Sequence, residues 1–319
     1  MKKQLLFRCM MISIVLAGLV SCEKETPAPT VDFTYVAEGL SVTFTSVVTN
    51  TDTYLWDFGD GGTSTEANPV HIYEASGDFD VTLTVTGGGG TDSKEETVTV
   101  TPNLEDIKGW LTGGPDDSNG KAWVMSNGYT EGVDGASGVE PTMMLLFGSV
   151  PDFLTSIGFP DEYADEFTFY YDGKYEVDNK NGKSIANLMA ALFAGLGGDV
   201  VRTTEGDGVG LCTKVYTAPE SSTWTLHEDD LVIDAAPYEG TDVPATTYQV
   251  TFSGVYWIEV SNGAYFGILD YPNTSKFIVK SISPTSMSVA VFMSTYWADP
   301  VGSGGYPTLM YHMTFVPKS

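Results

Sequence analysis

Cysteine and histidine are scarce in this chain, with three of each among 319 residues. Cys9 lies inside an apolar leading segment and Cys22 at its end, which leaves Cys212 alone in the remainder. If the leading segment is removed and Cys22 is modified, no internal disulfide can form and the fold depends on a packed core. With so few histidines and no GxSxG motif, serine–histidine catalysis is unsupported, and we interpret Cys212 as a small buried residue.

Basic residues are also few. The chain has 15 Lys and Arg against 42 Asp and Glu, a formal charge of -27. Lys2, Lys3 and Arg8 belong to the leading segment, so without it the charge is near -30. A surface of this sign repels nucleic acid and other anionic polymers. Neutral or cationic ligands are therefore the better candidates, and we predict no nucleic-acid partner.

The chain lacks a hydrophobic run of membrane-spanning length. The apolar run 10–20 covers about 11 residues, whereas a spanning helix needs about 20. Preceded by Lys2, Lys3 and Arg8, it predicts a signal peptide at residues 1–21. The sequence LVSC at 19–22 resembles a lipobox, which implies cleavage before Cys22 and acylation of its thiol. The alternative is an ordinary signal peptide with a chance cysteine.

Residues 22–30 are predicted to form a tether. Glu23, Lys24 and Glu25 make a short acidic cluster that resembles the surface-export signal of lipoproteins in the Bacteroidota. The following TPAPT at 26–30 favours an extended spacer because its prolines restrict the backbone. We therefore predict a lipid-anchored protein of the outer membrane that faces the exterior.

Glycine and aromatic residues are abundant, with 35 Gly, 17 Tyr and 16 Phe, and they favour an all-β protein. A chain of this length most often forms two folded units. Alternating apolar residues predict a small β-sandwich over residues 31–101, and the glycines at 87–90 form a hairpin tip inside it. Its predicted strands are 31–35, 40–45, 54–58, 80–85 and 97–100.

A specific resemblance lies within this first domain. Residues 54–61 read YLWDFGDG and are followed by Asn68, Pro69, His71, Tyr73, Gly77 and VTLTV at 81–85. This series resembles a PKD (polycystic kidney disease) domain, an immunoglobulin-like sandwich that serves as a spacer or accessory module. Trp56 and Phe58 should alternate into the core, while Asp57 and Asp60 form a turn. Two carboxylates are too few for Ca²⁺, which takes about six to eight oxygen ligands.

Pro102 and Asn103 mark the predicted boundary with a second domain at 104–319. A short helix at 104–110 opens it, and a helix at 185–196 packs over the sheet. Many strands predict a large β-sandwich or jelly roll, with a lipocalin-like barrel as the alternative. The eleven predicted strands are 122–126, 166–171, 175–177, 222–227, 231–235, 247–252, 256–260, 265–269, 276–282, 286–293 and 308–316.

The second domain carries a further resemblance. LTGG at 111–114, KAW at 121–123, EFTF at 166–169 and DGKY at 172–175 are similar to C-terminal β-domains of Bacteroidota surface glycan-binding lipoproteins. Such domains follow a PKD module and bind polysaccharides, often β-glucans such as laminarin, beside a glycan importer. Lipocalin-like barrels of the same bacteria share the LTGG and Trp opening, which keeps the barrel alternative open.

Acidic clusters are the candidate catalytic pairs, since a retaining glycosidase needs two carboxylates about 5 Å apart. Asp161, Glu162, Asp165 and Glu166 are predicted to lie in a solvated loop, and residues 228–230 in a hairpin turn. We therefore expect no catalytic residue and no enzyme. We also expect no cofactor; Ca²⁺ bound by Asp199, Glu205 and Asp207 is the alternative.

Exposed aromatic residues are the candidate ligand contacts, because sugar rings stack their C–H faces on Trp and Tyr. Trp297 begins a glycine-rich loop, and the adjacent Tyr256 and Trp257 should point to opposite faces of a strand. Trp110, Trp123 and Trp224 are predicted to be core residues. The predicted ligand-binding residues are Trp297, Trp257, Tyr256, Tyr271, Tyr296 and Tyr306.

The sequence thus predicts an outer-surface lipoprotein that captures a neutral polysaccharide, of the β-1,3-glucan type, for a neighbouring importer. Two alternatives stay open. One is a divergent glycoside hydrolase, which would release soluble sugar. The other is a structural or adhesion lipoprotein in which the PKD module is a stalk.

Overall fold

The computed structural model describes residues 25–193, 199–236, 247–270, 275–294 and 306–319. The chain divides between Pro102 and Asn103 into two compact units. Within the described ranges, none of the helices has the length and apolar character needed to cross a membrane. Strands dominate both units, so the all-β prediction is confirmed.

The first unit is a sandwich of two antiparallel sheets, one with the strand order β1-β2-β5 and the other β4-β3-β6-β7. Phe33, Phe44, Trp56 and Phe58 are buried between them, as the alternation predicts. The turn between β6 and β7 pairs Gly87 with Gly90, which confirms the predicted hairpin tip. The strands are β1 (Thr30–Glu38), β2 (Ser41–Thr49), β3 (Thr53–Asp57), β4 (Thr63–Ser64), β5 (Val70–Ile72), β6 (Gly77–Gly87) and β7 (Gly90–Val100).

The turn after β3 is built by its short acidic side chains, as predicted. The Asp57 carboxylate accepts a hydrogen bond from the Gly59 N–H at 3.0 Å, and that of Asp60 accepts one from Gly62 at 2.8 Å. Gly59 has φ +80°, and a Cβ added there would lie 2.8 Å from the Asp80 carbonyl oxygen. Only glycine therefore fits that position without strain.

The second unit contains four α-helices, one 3-10 helix and fifteen strands among its described residues. The helices are α1 (Leu104–Thr112), α2 (Phe153–Ser156), the 3-10 helix (Pro160–Ala164), α3 (Leu188–Phe193) and α4 (Thr204–Gly208). The strands are β8 (Lys121–Met125), β9 (Gly135–Gly138), β10 (Leu145–Gly148), β11 (Glu166–Phe169), β12 (Lys174–Asp178), β13 (Lys183–Asn187), β14 (Val200–Val201), β15 (Leu211–Val215), β16 (Ser222–His227), β17 (Leu231–Ala235), β18 (Tyr248–Phe252), β19 (Tyr256–Val260), β20 (Lys276–Ser283), β21 (Ser286–Met293) and β22 (Leu309–Pro317).

Eight of these strands close into a barrel. They are hydrogen-bonded in the order β8-β11-β12-β16-β19-β20-β21-β22, which is also their order along the chain, and every pair is antiparallel. β22 then pairs back with β8, where Phe315 lies opposite Met125. Consecutive antiparallel strands that close in this way form an up-and-down barrel, the alternative that the sequence left beside the jelly roll.

Alternate side chains of the barrel strands serve two cores. All eight strands contribute to the main core, in which Trp123, Phe167 and Phe315 are buried, so this core fills the barrel. Side chains on the outer face, such as Trp257 and Phe292, pack against the ribbon of β17 and β18 in a second core. The ribbon therefore covers one side of the barrel.

Two predicted elements were wrong. The helix expected at 185–196 is a strand as far as Asn187, because residues 183–187 pair with β15, and α3 begins only at Leu188. The strand expected at 265–269 is instead an irregular segment in which Tyr265 and Phe266 are both buried. Gly267 has φ +72°, a conformation that breaks an extended strand.

Candidate functional site

A cleft of about 480 Å³ lies where β22 changes partner. The first half of β22 pairs with β9, and its last residues pair with β8. Residues of β8, of β9 and of the segments that follow these strands line the cleft. The cleft therefore lies where β9 and β10 extend the barrel wall. The large apolar and aromatic residues of the lining are Met125, Phe147, Phe153, Leu154, Tyr163, Val209, Leu211, Ile268, Leu309, Tyr311 and Met313.

The aromatic residues differ in how firmly they are held. Phe147, on the edge strand β10, is 58% exposed and offers a broad apolar surface. The Tyr311 hydroxyl donates to the Val209 carbonyl at 2.9 Å. The Tyr163 hydroxyl accepts from the Leu154 N–H at 3.0 Å, and burial raises the pKa of Tyr163, so it keeps a proton with which to donate. The cleft wall thus contains two hydrogen-bonded phenols and one exposed ring.

The acidic side chains of the lining already accept hydrogen bonds within the protein. The two carboxylate oxygens of Asp134 accept from the Thr130 N–H at 2.8 Å and the Thr314 hydroxyl at 2.7 Å. Asp207 accepts two hydrogen bonds from Arg202, at 2.9 and 2.7 Å.

The His312 imidazole is uncharged near neutral pH, because burial lowers its pKa to about 3. His312 lines the cleft together with Asp134 and Asp207. All three are therefore either paired or neutral, and this arrangement suits an uncharged ligand.

A buried polar network lies beside the cleft. The Asn187 side-chain amide, from a residue that lines the cleft, donates to the Ser294 carbonyl. The Ser294 N–H in turn donates to the Asp270 carboxylate at 2.7 Å. All three residues are buried, so the end of β21 is fixed next to the cleft.

The predicted ligand-binding residues are only partly described. Trp297, Tyr296 and Tyr271 lie outside the described residues, as does the lipidation candidate Cys22. Tyr306 is half-buried just before β22 and does not belong to the cleft lining. That these four aromatic residues contact a ligand therefore stays a prediction.

Tyr256 and Trp257 point to opposite faces of β19, as predicted. Trp257 is 6% exposed, stacks on His227 with ring centroids 3.8 Å apart, and donates to the Asp229 carbonyl at 3.1 Å. Tyr256 is half-buried against the main core and its hydroxyl donates to Glu228 at 3.4 Å. Neither lines the cleft, and their part in binding likewise stays a prediction.

Sequence reasoning missed the aromatic residues that line the cleft. Tyr311 lies in an alternating strand pattern that indicates only core packing, and Phe147 follows an apolar run, MMLL at 143–146, that was not assigned to an element. Phe153 and Tyr163 come from a third segment of the chain. Segments so distant in sequence are brought together by the barrel, and no local pattern marks that meeting.

The acidic cluster at 161–166 is not the solvated loop that the sequence predicted. Asp161 is exposed, but Glu162 and Asp165 are 5% and 2% exposed. Residues i and i+3 of a 3-10 helix lie on the same side, so this turn directs both carboxyls inward. Burial, together with the charge of Glu162, raises the pKa of Asp165 to about 8.

The calcium alternative finds no ligand set in the described part of the chain. No three or more acidic, histidine or cysteine side chains there lie close enough to hold a metal ion. Of the three candidates, Asp207 is occupied by Arg202. The loop around Glu205 is instead organised by Thr203, whose side chain accepts from the Gly206 N–H and caps α4.

Comparison with solved structures gives a distant likeness over most of the chain. A structure from work on carbohydrate-binding modules of the beta-sandwich superfamily aligns with 92% of this chain and 93% of its own, at 13% identity and a TM-score of 0.24. A likeness at that level carries no argument about fold or ligand.

The first unit, in contrast, has close relatives. Collagenase ColQ1 of Bacillus cereus (strain Q1) is 43% identical over 92 residues, and the pre-pro-metalloprotease PrtV of Vibrio cholerae is 43% identical over 95. Each match covers about a quarter of this chain (26% and 27%) and 10% of the relative. The solved PKD1 domain of PrtV is 42% identical over 24% of this chain and 99% of its own, with a TM-score of 0.23. Residues 24–102 match the family model of the PKD domain, so the first unit of this chain is a PKD domain.

Proposed function

We propose that this chain is a non-catalytic binding protein that holds a neutral carbohydrate in the cleft of its second unit. The observation that carries the proposal is the lining of the cleft, which combines aromatic surface with hydrogen-bonding groups and has no Lys or Arg among its described residues. An anionic ligand would find no positively charged partner there, because His312 is neutral and Asp134 and Asp207 are acidic, whereas a neutral ligand leaves their hydrogen bonds intact.

A sugar fits such a lining better than a purely apolar ligand does. Its C–H face can stack on an exposed ring such as Phe147, and its hydroxyls can pair with fixed phenols such as Tyr163. The net charge of -27 adds a long-range preference, because it repels anionic polymers before they reach the cleft. A neutral glucan of the β-1,3 type is the ligand that the sequence resemblance implies.

Trp297 is proposed as a further ligand contact. Ser294, the last described residue before it, is hydrogen-bonded to the cleft residue Asn187, and Leu309, at the start of β22, itself lines the cleft. These contacts place Ser294 next to the cleft and Leu309 in its lining, which supports testing Trp297 beside Phe147.

A binding role is favoured over hydrolysis by the positions of the candidate catalytic groups. His312 and the Ser137 hydroxyl are 2.8 Å apart, but Ser137 is fully buried and the low pKa of His312, about 3, makes it a weak base. The carboxyls of Glu162 and Asp165 are buried and neither residue lines the cleft. Release of soluble sugar from a bound glucan would support the hydrolase instead.

We also propose that the protein is lipid-anchored through Cys22 at the outer membrane, with the PKD domain between the anchor and the binding unit. The motif LVSC at 19–22 and the spacer at 26–30 support this arrangement, and an importer of the captured glycan would be the neighbouring partner. Fatty-acid labelling in cells tests the anchor. We expect Cys22→Ser to abolish the labelling, and labelling that persists in this variant would contradict the proposal.

Affinity electrophoresis of residues 25–319 against a panel of neutral plant, algal and fungal glucans tests the binding site. We expect at least one glucan to retard the protein. Phe147→Ala should weaken that binding about tenfold, since losing one stacking contact costs about 1.4 kcal/mol, and Trp297→Ala should weaken it similarly.

Val232→Ala is the matched control, because Val232 is 47% exposed on β17 and does not line the cleft. We expect this variant to bind as the unchanged protein does. If no glucan retards the protein, or if all three variants bind equally well, the cleft is not a glucan site.

A further inference from the structure

The second unit contains two buried carboxyls that the binding site does not use. Glu162 lies in the 3-10 helix and Asp165 directly follows it, three residues later. They are 5% and 2% exposed, and the Asp165 N–H donates to the Glu162 carbonyl at 3.4 Å, so the two belong to one turn. Acidic side chains are rarely buried unless they are paired with a cation or remain protonated.

Neither carboxyl is fully paired by hydrogen bonds. Glu162 accepts from the Asn181 amide at 3.3 Å through Oε1, and Asp165 accepts from the Tyr265 hydroxyl at 3.4 Å through Oδ2. The second oxygen of each, Oε2 of Glu162 and Oδ1 of Asp165, is buried without a hydrogen-bond partner. Two ionised carboxylates in this position would therefore be poorly solvated as well as mutually repulsive.

The cations nearby offset only part of the charge of the pair. Lys180 already forms ion pairs with Asp178 and Glu166, and Lys183 acts on Glu162 from the start of β13. Asp161 and Asp178 add negative charge from either side. The titratable and charged groups that surround the pair are Asp161, Tyr163, Glu166, Asp178, Lys180, Lys183 and Tyr265, with Asp152 facing Tyr163 from the start of α2.

The turn that carries the pair also forms part of the cleft wall. Tyr163 lies between the two acids in sequence and lines the cleft, where its hydroxyl accepts from the Leu154 N–H at 3.0 Å. The turn also packs against α2, β8 and β13. Any movement that exposed the carboxyls to water would therefore displace a residue of the cleft wall.

We propose that Glu162 and Asp165 form a pair that binds one proton. While the proton is bound, the pair positions Tyr163 in the cleft wall. When the proton is lost, that part of the cleft wall loosens. The proton resides on Asp165, the more deeply buried acid. Glu162 carries the charge, which Asn181 and Lys183 stabilise. If the proposed glycan function holds, the protein should release its ligand at alkaline pH. The effect of the pair on protein stability does not depend on that function.

Thermal unfolding of residues 25–319 at several pH values tests the pair. The pKa of Asp165 is raised from 3.8 to about 8, so the folded protein binds more protons than the unfolded chain between these values. Stability should then fall as the pH rises from about 5 to about 8, because the unfolded chain gives up that proton first.

Asparagine mimics a protonated aspartate, so Asp165→Asn should flatten this decline and unfold at a higher temperature than the unchanged protein near pH 8. Asp161→Asn is the matched control, since Asp161 is exposed and should leave the decline in place. Glu162→Gln is a second variant: removing its charge should lower the pKa of Asp165 and end the decline at a lower pH.

Three results would contradict the proposal that Glu162 and Asp165 bind a proton together. One is a melting temperature of the unchanged protein that stays level over this range. Another is an Asp165→Asn variant that folds but is less stable near pH 8. The third is Ca²⁺ raising the melting temperature of the unchanged protein but not of Asp165→Asn, which would show a cation site. Absence of glucan binding at every pH would remove the proposed function and leave this test unaffected.

Discussion

At the scale of single residues, the core tryptophans show why sequence patterning succeeded there. Trp56, Trp123 and Trp224 are almost fully buried, and each indole N–H donates to a backbone carbonyl at 2.8–2.9 Å. Alternation along a strand predicts burial because it depends only on local geometry. The carbonyl partners, Glu66, Leu111 and Tyr170, lie in other segments, and nothing in the sequence indicates them.

Cys212 gives a prediction at this scale. It is fully buried on β15, and burial raises the pKa of its thiol to about 11, so the reactive thiolate is rare near neutral pH. In residues 25–319 it is the only cysteine. We expect a thiol reagent at about pH 8 to leave the folded protein unlabelled and to label one thiol per chain in denaturant. Rapid labelling of the folded protein would contradict the buried position.

The acidic residues were harder to predict than the aromatic ones. Asp161, Glu162 and Asp165 read as a polar loop because their composition is that of exposed turns. The 3-10 turn sends two of the three inward, and that difference depends on where the barrel and β13 lie. Composition indicates average exposure, whereas the tertiary contacts decide which acid is buried.

At the scale of elements, strands bounded by polar or glycine-containing turns were predicted closely. β16, β17, β19 and β21 have the boundaries expected from the sequence. The errors lie where residues are apolar without a clear period, as at 185–196 and 265–269. A continuous apolar run fits a buried strand, a buried helix or a buried irregular segment equally well, so periodicity cannot choose among them.

Helix α1 is the element whose ends are marked most clearly by capping residues in the local sequence. The Asn103 side chain accepts from the Asp106 N–H at 3.0 Å, and the Asp106 carboxylate accepts from the Asn103 N–H at 2.9 Å, which forms a capping box. Gly113, with φ +86°, ends the helix in a left-handed conformation. These caps fix a nine-residue helix that would be marginal by itself.

Asn103→Ala removes the side-chain half of this cap. We expect it to lower the free energy of unfolding of the second unit by about 1 kcal/mol, because one N–H of the first turn loses its acceptor. Asn119→Ala is the control: Asn119 is exposed in a loop, and the change should stay within about 0.5 kcal/mol. Equal effects of the two substitutions in urea unfolding would show that the cap does not stabilise the helix.

At the scale of the whole molecule, the chain joins a PKD domain to a closed barrel that carries a cleft. The sequence motifs were specific enough to identify the first unit. For the second unit they left two architectures open, because closure depends on β22 returning to β8, a pairing between segments nearly 200 residues apart. The cleft follows from the same closure, so its lining could not be foreseen.

We propose above all that this cleft selects a neutral carbohydrate. Calorimetric titration of residues 25–319 with a soluble β-1,3-glucan, and with a uronic-acid polymer of similar length, tests it most directly. Because the described lining has no positively charged side chain and residues 25–319 carry a strongly negative net charge, we expect micromolar-range binding of the neutral glucan and no measurable binding of the anionic polymer. Equal binding of both polymers, or binding of the uronic-acid polymer alone, would contradict the proposed selectivity for a neutral carbohydrate.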